Sequence, residues 1–313
     1  MTACEAADHP RGGRPRCVII DPAQQASVTC VTAHSATMTA GHAPRHREGT
    51  PSPEGEIAVK DPRAKATCYC DLNPNAPADV PFYVGRLSGP DARALEIGCG
   101  TGRVSIPLAR ACSFLHGLDL SEAMLARCRE RIEGAGLPQE RIRVERADIT
   151  DYRLGSSFDL IIAPFRVIQN LETDAQLRGL YRCVRDHLAP RGRCILNVFH
   201  PNRPRQELLR TWTSSEERLA WELVRGDERI TCHDLRRRLV AEPLVLYPEL
   251  VYRRYRGERL IDATVLPIPM RCYYPAEFLE QITTAGFTVT GTWGGYGQER
   301  YGEGPELVVE FGL

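Results

Sequence analysis

Apolar and polar positions along the 313-residue chain have two textures, with the change near Cys68. Beyond it, short apolar runs alternate with segments of helical spacing. Ala92–Ile97 is an apolar run ending at glycines, and Ser105–Ala111 after that turn has helical spacing. Phe114–Leu120 is a second strand, with Ser121 as N-cap of the helix EAMLARCRERIEG. Arg141–Ala147 alternates as a third strand, and Phe158–Ala163 is a buried fourth. Glu172–Leu188 spaces Leu177, Leu180, Tyr181 and Val184 for one helix face, and Cys194–Phe199 is a fifth strand. This alternation predicts an α/β fold, doubly wound around a mostly parallel sheet.

The rhythm breaks after Phe199. Residues 201–274 hold a polar helical stretch, Gln206–Val224, then runs alternating aromatic with charged residues, as antiparallel strands do. Within them Arg236-Arg237-Arg238 reads as a solvated strand edge. Pro275–Ala285 is a helix stopped by Gly286, and Phe287–Trp293 and Leu307–Phe311 are the last strands. The block is an antiparallel lid insertion between the fifth strand and the last helix. It sits over the carboxyl ends of the strands, where ligands bind in such sheets.

Residues 1–67 contain no Leu, Phe, Tyr or Trp, too little apolar surface to offset chain entropy. They are expected to be a disordered extension, leaving 68–313 as the folded domain. Forty basic and forty acidic residues cancel, so neither nucleic acid nor a membrane surface is expected as a partner. No apolar run approaches the roughly 18–20 residues of a membrane helix, and no secretory leader pattern is present. Twelve scattered cysteines include no C-x-x-C pair, so no metal site is expected, and reduced thiols fit a cytoplasmic protein.

The sharpest chemical signal is Leu95-Glu96-Ile97-Gly98-Cys99-Gly100-Thr101-Gly102-Arg103, between the first strand and a helix. Glycines there permit a tight turn and close approach of a ligand to backbone. Arg103 stands where a dinucleotide fingerprint needs its third glycine, which disfavours a nucleotide-dependent dehydrogenase. Asp119 ends the second strand, 23 residues after Glu96, where an acid can accept both ribose hydroxyls.

The Glu-x-Gly-x-Gly-x-Gly pattern, Asp119 and Ala147-Asp148-Ile149 together resemble the class I methyltransferases that use S-adenosylmethionine, on a Rossmann-like seven-stranded sheet. The resemblance runs from about Tyr69 to Leu313. It is closest to a group of bacterial small-molecule methyltransferases, in Asp79-Val80-Pro81-Phe82-Tyr83, in Ile162-Ala163-Pro164-Phe165-Arg166-Val167-Ile168-Gln169, in Met270–Phe278 and in Gly304–Val309. It implies S-adenosylmethionine as cofactor, held by Glu96, Gly98, Cys99, Gly100, Gly102, Asp119, Leu120, Asp148, Ile149, Pro164 and Phe165. Asp148 would accept from the adenine amino group and Ile149 pack on the ring.

Methyl transfer leaves the hard chemistry to the cofactor, while the protein orients and desolvates. Tyr69, Phe82, Tyr83 and Phe165 are candidates to face a sulfonium, with Tyr83 and Phe165 chosen as pocket-lining. His200, directly after the fifth strand, is the candidate base, ahead of His233 in the lid and His116 in the second strand. Gln169, Arg271 and Tyr273 are candidates to touch an O, N, S or C methyl acceptor on a small molecule. The fourth-strand end, Ala163-Pro164-Phe165-Arg166, lacks the turn of enzymes that methylate nucleobase amines or protein glutamine. Other readings are an idle cofactor-binding partner protein, a macromolecule methyltransferase and an aminopropyl transferase, the last lacking its G-G-G-D/E-G turn. The lid strands could equally close over a pocket or pair two copies into a homodimer.

Overall fold

The structure, a computed structural model, describes residues 16–18, 63–73, 77–304 and 306–313. Its strands in chain order are β1 (Arg16–Val18), β2 (Arg93–Ile97), β3 (Phe114–Asp119), β4 (Ile142–Arg146), β5 (Phe158–Ala163), β6 (Leu188–Phe199), β7 (Ser214–Arg225), β8 (Glu228–Val240), β9 (Val245–Arg256), β10 (Arg259–Pro267), β11 (Met270–Arg271), β12 (Thr288–Trp293) and β13 (Glu306–Gly312). The helices are α1 (Thr67–Cys70), α2 (Val80–Val84), α3 (Ser105–Ala111), α4 (Glu122–Gly134), α5 (Asp174–His187), α6 (Arg205–Thr211) and α7 (Pro275–Thr284).

The seven-stranded sheet has the order β12-β13-β6-β5-β2-β3-β4. Pairings from β6 through β4 are parallel, and β13 joins β6 and β12 antiparallel. The two-residue period of a strand gives each face its own core. Ile161 and Ala163 of β5 share one with Leu180 and Val184 of α5 and with Phe278 and Ile282 of α7. Leu160 and Ile162, one residue out of phase, share the other with Leu108 of α3. Burying one such aliphatic side chain contributes roughly 1.5–3 kcal/mol. Local signals set the helix starts. The Ser121 hydroxyl accepts from Met124 N, and Thr173 and Gln176 form a reciprocal capping box.

The insertion forms a second sheet together with β1, in the order β1-β7-β8-β9-β10 with β11 on β9. Its core holds Trp221, Leu223, Ile230, Tyr252 and Leu266. The lid therefore lies in the predicted place, but the helix expected over Gln206–Val224 stops at Thr211. From Ser214 the chain pairs with β8, because Trp221 and Leu223 bury on alternate positions of a strand. Of the arginine triplet, Arg236 lies between β7 and β9, whereas exposed Arg237 and Arg238 lie beyond the end of the β7 register and keep β9 alone as neighbour. Arg236 pairs with Asp234, Arg237 with Glu249, and Arg238 stands over the Tyr247 ring.

Packing begins before Cys68. Arg63 and Ala66 are buried, and Ala66 and Tyr69 belong to the lid core, so residues 63–67 are not part of a disordered extension. Arg16–Val18 likewise pairs antiparallel with β7. The rest of the expected extension lies outside the described residues. No helix among the described residues is long and apolar enough to cross a membrane.

Candidate functional site

The glycine turn leaves β2 and is stitched to the end of β3. Gly98 N and Cys99 N donate to Leu118 O at 2.7 and 2.9 Å, and Gly100 N donates to Asp119 Oδ2 at 2.9 Å. Asp119 Oδ1 accepts from Ser121 N, so the carboxylate fixes both the turn and the start of α4. Gly98 (φ +72°) and Gly100 (φ +54°) both have left-handed backbone, yet their surroundings differ. A Cβ on Gly98 would meet Val167 Cγ2 at 2.5 Å, whereas one on Gly100 would meet nothing within 4 Å. Gly98 is required by packing, and Gly100 leaves space for a ligand. Gly102 packs on Cys128 of α4 and lies off the cavity.

That space is a cavity of about 360 Å³, within the roughly 300–1,000 Å³ usual for small-molecule sites. It brings together Glu96, Gly98, Cys99, Gly100, Asp119, Pro164 and Phe165 of the residues picked from sequence. Leu120, Asp148 and Ile149 do not line it. Asp148 Oδ1 accepts from the amide and hydroxyl of Thr150, and Ile149 belongs to the core under the sheet.

Glu96 is buried, and Ser105 Oγ donates to its Oε2 at 2.5 Å. Burial pushes its carboxyl pKa up to about 8, against the opposing pull of that hydroxyl and the Arg103 guanidinium. Arg103 turns the missing third glycine into an anchor. Its guanidinium forms a bidentate pair with buried Asp79 and stands 5.2 Å from the Phe165 ring centroid. Phe165 and Arg166 both hold left-handed backbone (φ 62° and 65°), which costs a non-glycine residue about 1–2 kcal/mol each. Arg166 N donates to Asn197 Oδ1, its guanidinium grips Glu306, and Asn197 Nδ2 donates to Glu306 Oε2 at 3.0 Å. This buried network holds the turn that presents Phe165 to the cavity.

Several wall residues carried no sequence signal. Asp71, before the sheet, accepts from Thr101 Oγ1 at 2.6 Å and pairs with Arg127 and Arg131 of α4. Arg63 lies inside the segment set aside on composition. Tyr252 reaches the cavity from β9 and stacks on Tyr69, with centroids 5.0 Å apart and planes 7° off parallel. The i, i+4 spacing of Arg127 and Arg131 was the one legible hint.

The catalytic and acceptor candidates are not brought to this cavity. Tyr83 is wholly buried, packed edge-on to Phe82 and beside Tyr296. Gln169 is buried, neither a surface nor an acceptor-facing residue. Its Nε2 donates to Arg271 O at 2.7 Å and its Oε1 accepts from Phe199 N at 2.8 Å, stitching β6 to β11. His200 follows β6 but lines neither this cavity nor a second one, which takes Arg271 and Tyr273. His116 sits beside Glu145 in the sheet, and His233 packs near Arg253 in the lid.

Comparison with known proteins gives the class of molecule that this fold and turn define. The family described as "Methyltransferase domain" matches residues 94–192. A phosphatidylethanolamine N-methyltransferase of Cereibacter sphaeroides is 32% identical over 143 residues, 44% of this chain and 67% of that protein. The chain belongs to the class I S-adenosylmethionine-dependent methyltransferases. It is 30% identical over 115 residues to a dTDP-3-amino-3,4,6-trideoxy-α-D-glucopyranose N,N-dimethyltransferase of Streptomyces venezuelae, 36% of this chain and 46% of that protein. The chain thus spans a little under half the length of the first curated relatives it matches. A solved S-adenosylmethionine-dependent methyltransferase from Clostridium acetobutylicum shares the fold, with TM-score 0.63 and 14% identity over 80% of this chain and 98% of that one.

Proposed function

We propose that this chain transfers the methyl group of S-adenosylmethionine to an amine nitrogen of a small molecule. The observation that carries the reading is the cavity at the glycine turn, open beside Gly100, floored by Asp119 and walled by Tyr252 of the lid. A volume of about 360 Å³ lies within the range of small-molecule sites and suits the cofactor. An amine acceptor is supported by the amino-sugar N,N-dimethyltransferases among the relatives.

The cofactor, when bound, supplies a methyl group made electrophilic by its sulfonium. Asp119 would accept the ribose hydroxyls with the lone pairs left by its two backbone bonds. Gly100 would allow close approach, and Phe165, held by Arg103 and the Arg166–Glu306 network, would set one wall of the acceptor space. The Tyr69–Tyr252 stack would exclude water. An amine attacks with its own lone pair, and no side chain is assigned as a base. The same reading includes two copies pairing along β10, an edge strand with Leu260, Ile261 and Val265 exposed.

Calorimetric titration with S-adenosylmethionine and with NADH tests the cofactor, and release of S-adenosylhomocysteine over a panel of amino sugars and small amines tests the transfer. Micromolar binding of the first ligand alone, weakened tenfold or more by Asp119→Ala, is expected, with turnover on at least one amine. A folded chain that does not bind S-adenosylmethionine overturns the reading. Sedimentation of the same sample reads the pairing, and a monomer at all concentrations removes it.

A further inference from the structure

A second cavity, about 580 Å³, opens between α5, α7 and the lid, and shares no lining residue with the cavity at the glycine turn. Its lining includes Arg271 of β11, Tyr181 of α5 and Tyr273, which are only 6%, 5% and 1% exposed. Arg271 gives one terminal nitrogen to Asp174 and lies 5.3 Å over the Tyr273 ring centroid. Its other terminal nitrogen donates no hydrogen bond among the described residues. The hydroxyls of Tyr181 and Tyr273 and Gln281 Oε1 likewise lack a partner there, all withdrawn from water.

Four orphaned polar atoms around one cavity are unusual, because each costs about 1–3 kcal/mol when buried without a partner. The chemistry of the unmet groups defines what would satisfy them. A guanidinium has a fixed fork of donors. Burial raises the pKa of both tyrosine hydroxyls, so both keep their protons and can donate. One cationic donor and two neutral ones match a carboxylate, while the fourth atom, Gln281 Oε1, is an acceptor that a donor such as an ammonium would satisfy. Leu177, Leu244 and Pro243 add an apolar wall for a short aliphatic body; of the four acids in the lining, Asp174 pairs with Arg271, Glu242 and Glu277 pair with Arg205, and exposed Glu280 stands at the rim.

We propose that this cavity is a second ligand site, taking a small aliphatic carboxylate whose oxygens accept from Arg271, Tyr181 and Tyr273 as those side chains turn into the open volume. The proposal stands apart from the methyl-transfer reading. Two sources share this chemistry, a simple carboxylate and an amino acid whose ammonium would face Glu280.

The test is a ligand-observed NMR titration of the full chain with 4-methylpentanoate, L-leucine and 3-methylbutylamine, run with and without saturating S-adenosylhomocysteine. Saturable binding of at least one of the two carboxylates, unaffected by S-adenosylhomocysteine, is expected, and none of the carboxylate-free amine. Tighter binding of L-leucine assigns the ammonium a role, and tighter binding of 4-methylpentanoate assigns the site to simple carboxylates. Tyr181→Phe and Tyr273→Phe remove hydroxyls that bond to nothing, so both variants should fold with unchanged or raised melting temperature. Each should nevertheless weaken carboxylate binding about tenfold or more, the usual loss of a hydrogen bond to a charge. The proposal is overturned if neither carboxylate binds, if S-adenosylhomocysteine displaces it, or if both phenylalanine variants bind it unchanged. Failure of S-adenosylhomocysteine to bind strikes the methyl-transfer reading alone, since the carboxylate titration is also read without it.

Discussion

Gly98 and Gly100 are two residues apart in one turn and share left-handed backbone, yet alanine at each should fail differently. In either place the left-handed conformation costs alanine about 1–2 kcal/mol. At Gly98 the new methyl would also stand 2.5 and 2.8 Å from the two Val167 methyl carbons. Val167 is buried after the strained turn that follows β5, and its branched side chain is stiff at χ1 even though it borders the cavity. Overpacking of this kind adds about 1–3 kcal/mol. At Gly100 the methyl would have no atom of the described residues within 4 Å, beside the cavity that Gly100 lines. Gly98→Ala should therefore be less stable than Gly100→Ala by about 1–3 kcal/mol, or about 3–10 °C in Tm for a domain of this size. Gly100→Ala should keep most of its stability and lose cofactor affinity about tenfold or more, because the methyl occupies space the ligand needs. Thermal unfolding without ligand and titration with S-adenosylhomocysteine read the two effects separately. Equal stability of the two variants, or undiminished binding by Gly100→Ala, would refute this division of labour.

Glu96 gives a pH dependence of unusual sign. Its folded pKa near 8 lies above the ordinary carboxylate value, so between about pH 4.5 and 8 the unfolded chain binds fewer protons than the folded one. Stability from this group is full below that window and lost as pH rises through it, at up to about 1.4 kcal/mol per pH unit. Urea unfolding from pH 5 to 8.5 should show the decline and Glu96→Gln should flatten it; an equally steep Glu96→Gln profile would remove Glu96 as the cause. Glu306→Gln removes one acidic partner of the Arg166 guanidinium, whose side chain is 12% exposed. Breaking such a pair costs about 3–5 kcal/mol when a partner is removed, and the Phe165 turn should loosen with it. A stability loss below 1 kcal/mol with unchanged cofactor affinity would show that the turn holds itself.

Much of the fold is local and so was legible. The strand β5, the helix α3, the Ser121 cap and the glycine turn each announce themselves within a few residues, through apolar runs, a hydroxyl before a helix and glycines after a strand. Aromatic and charged alternation marked the lid, but Ser214–Arg225 carried spacing compatible with a helix until pairing with β8 decided it. Ala66 was invisible because its burial comes from the lid core and not from its own neighbours.

The site divides in the same way. The sequence by itself determined the backbone of the glycine turn beside the cavity, because Gly98, Gly100 and Asp119 act through local geometry at strand ends. Tertiary structure alone decided what surrounds it. Packing brought Asp71, Arg127, Arg131 and Tyr252 to the cavity from three separate stretches of chain. It also spent Gln169 on the backbone between β6 and β11, and moved Arg271 and Tyr273 to a different cavity. Side chains far apart in sequence meet only after their elements have packed, and their chemistry depends on burial and partners that no short stretch of chain contains.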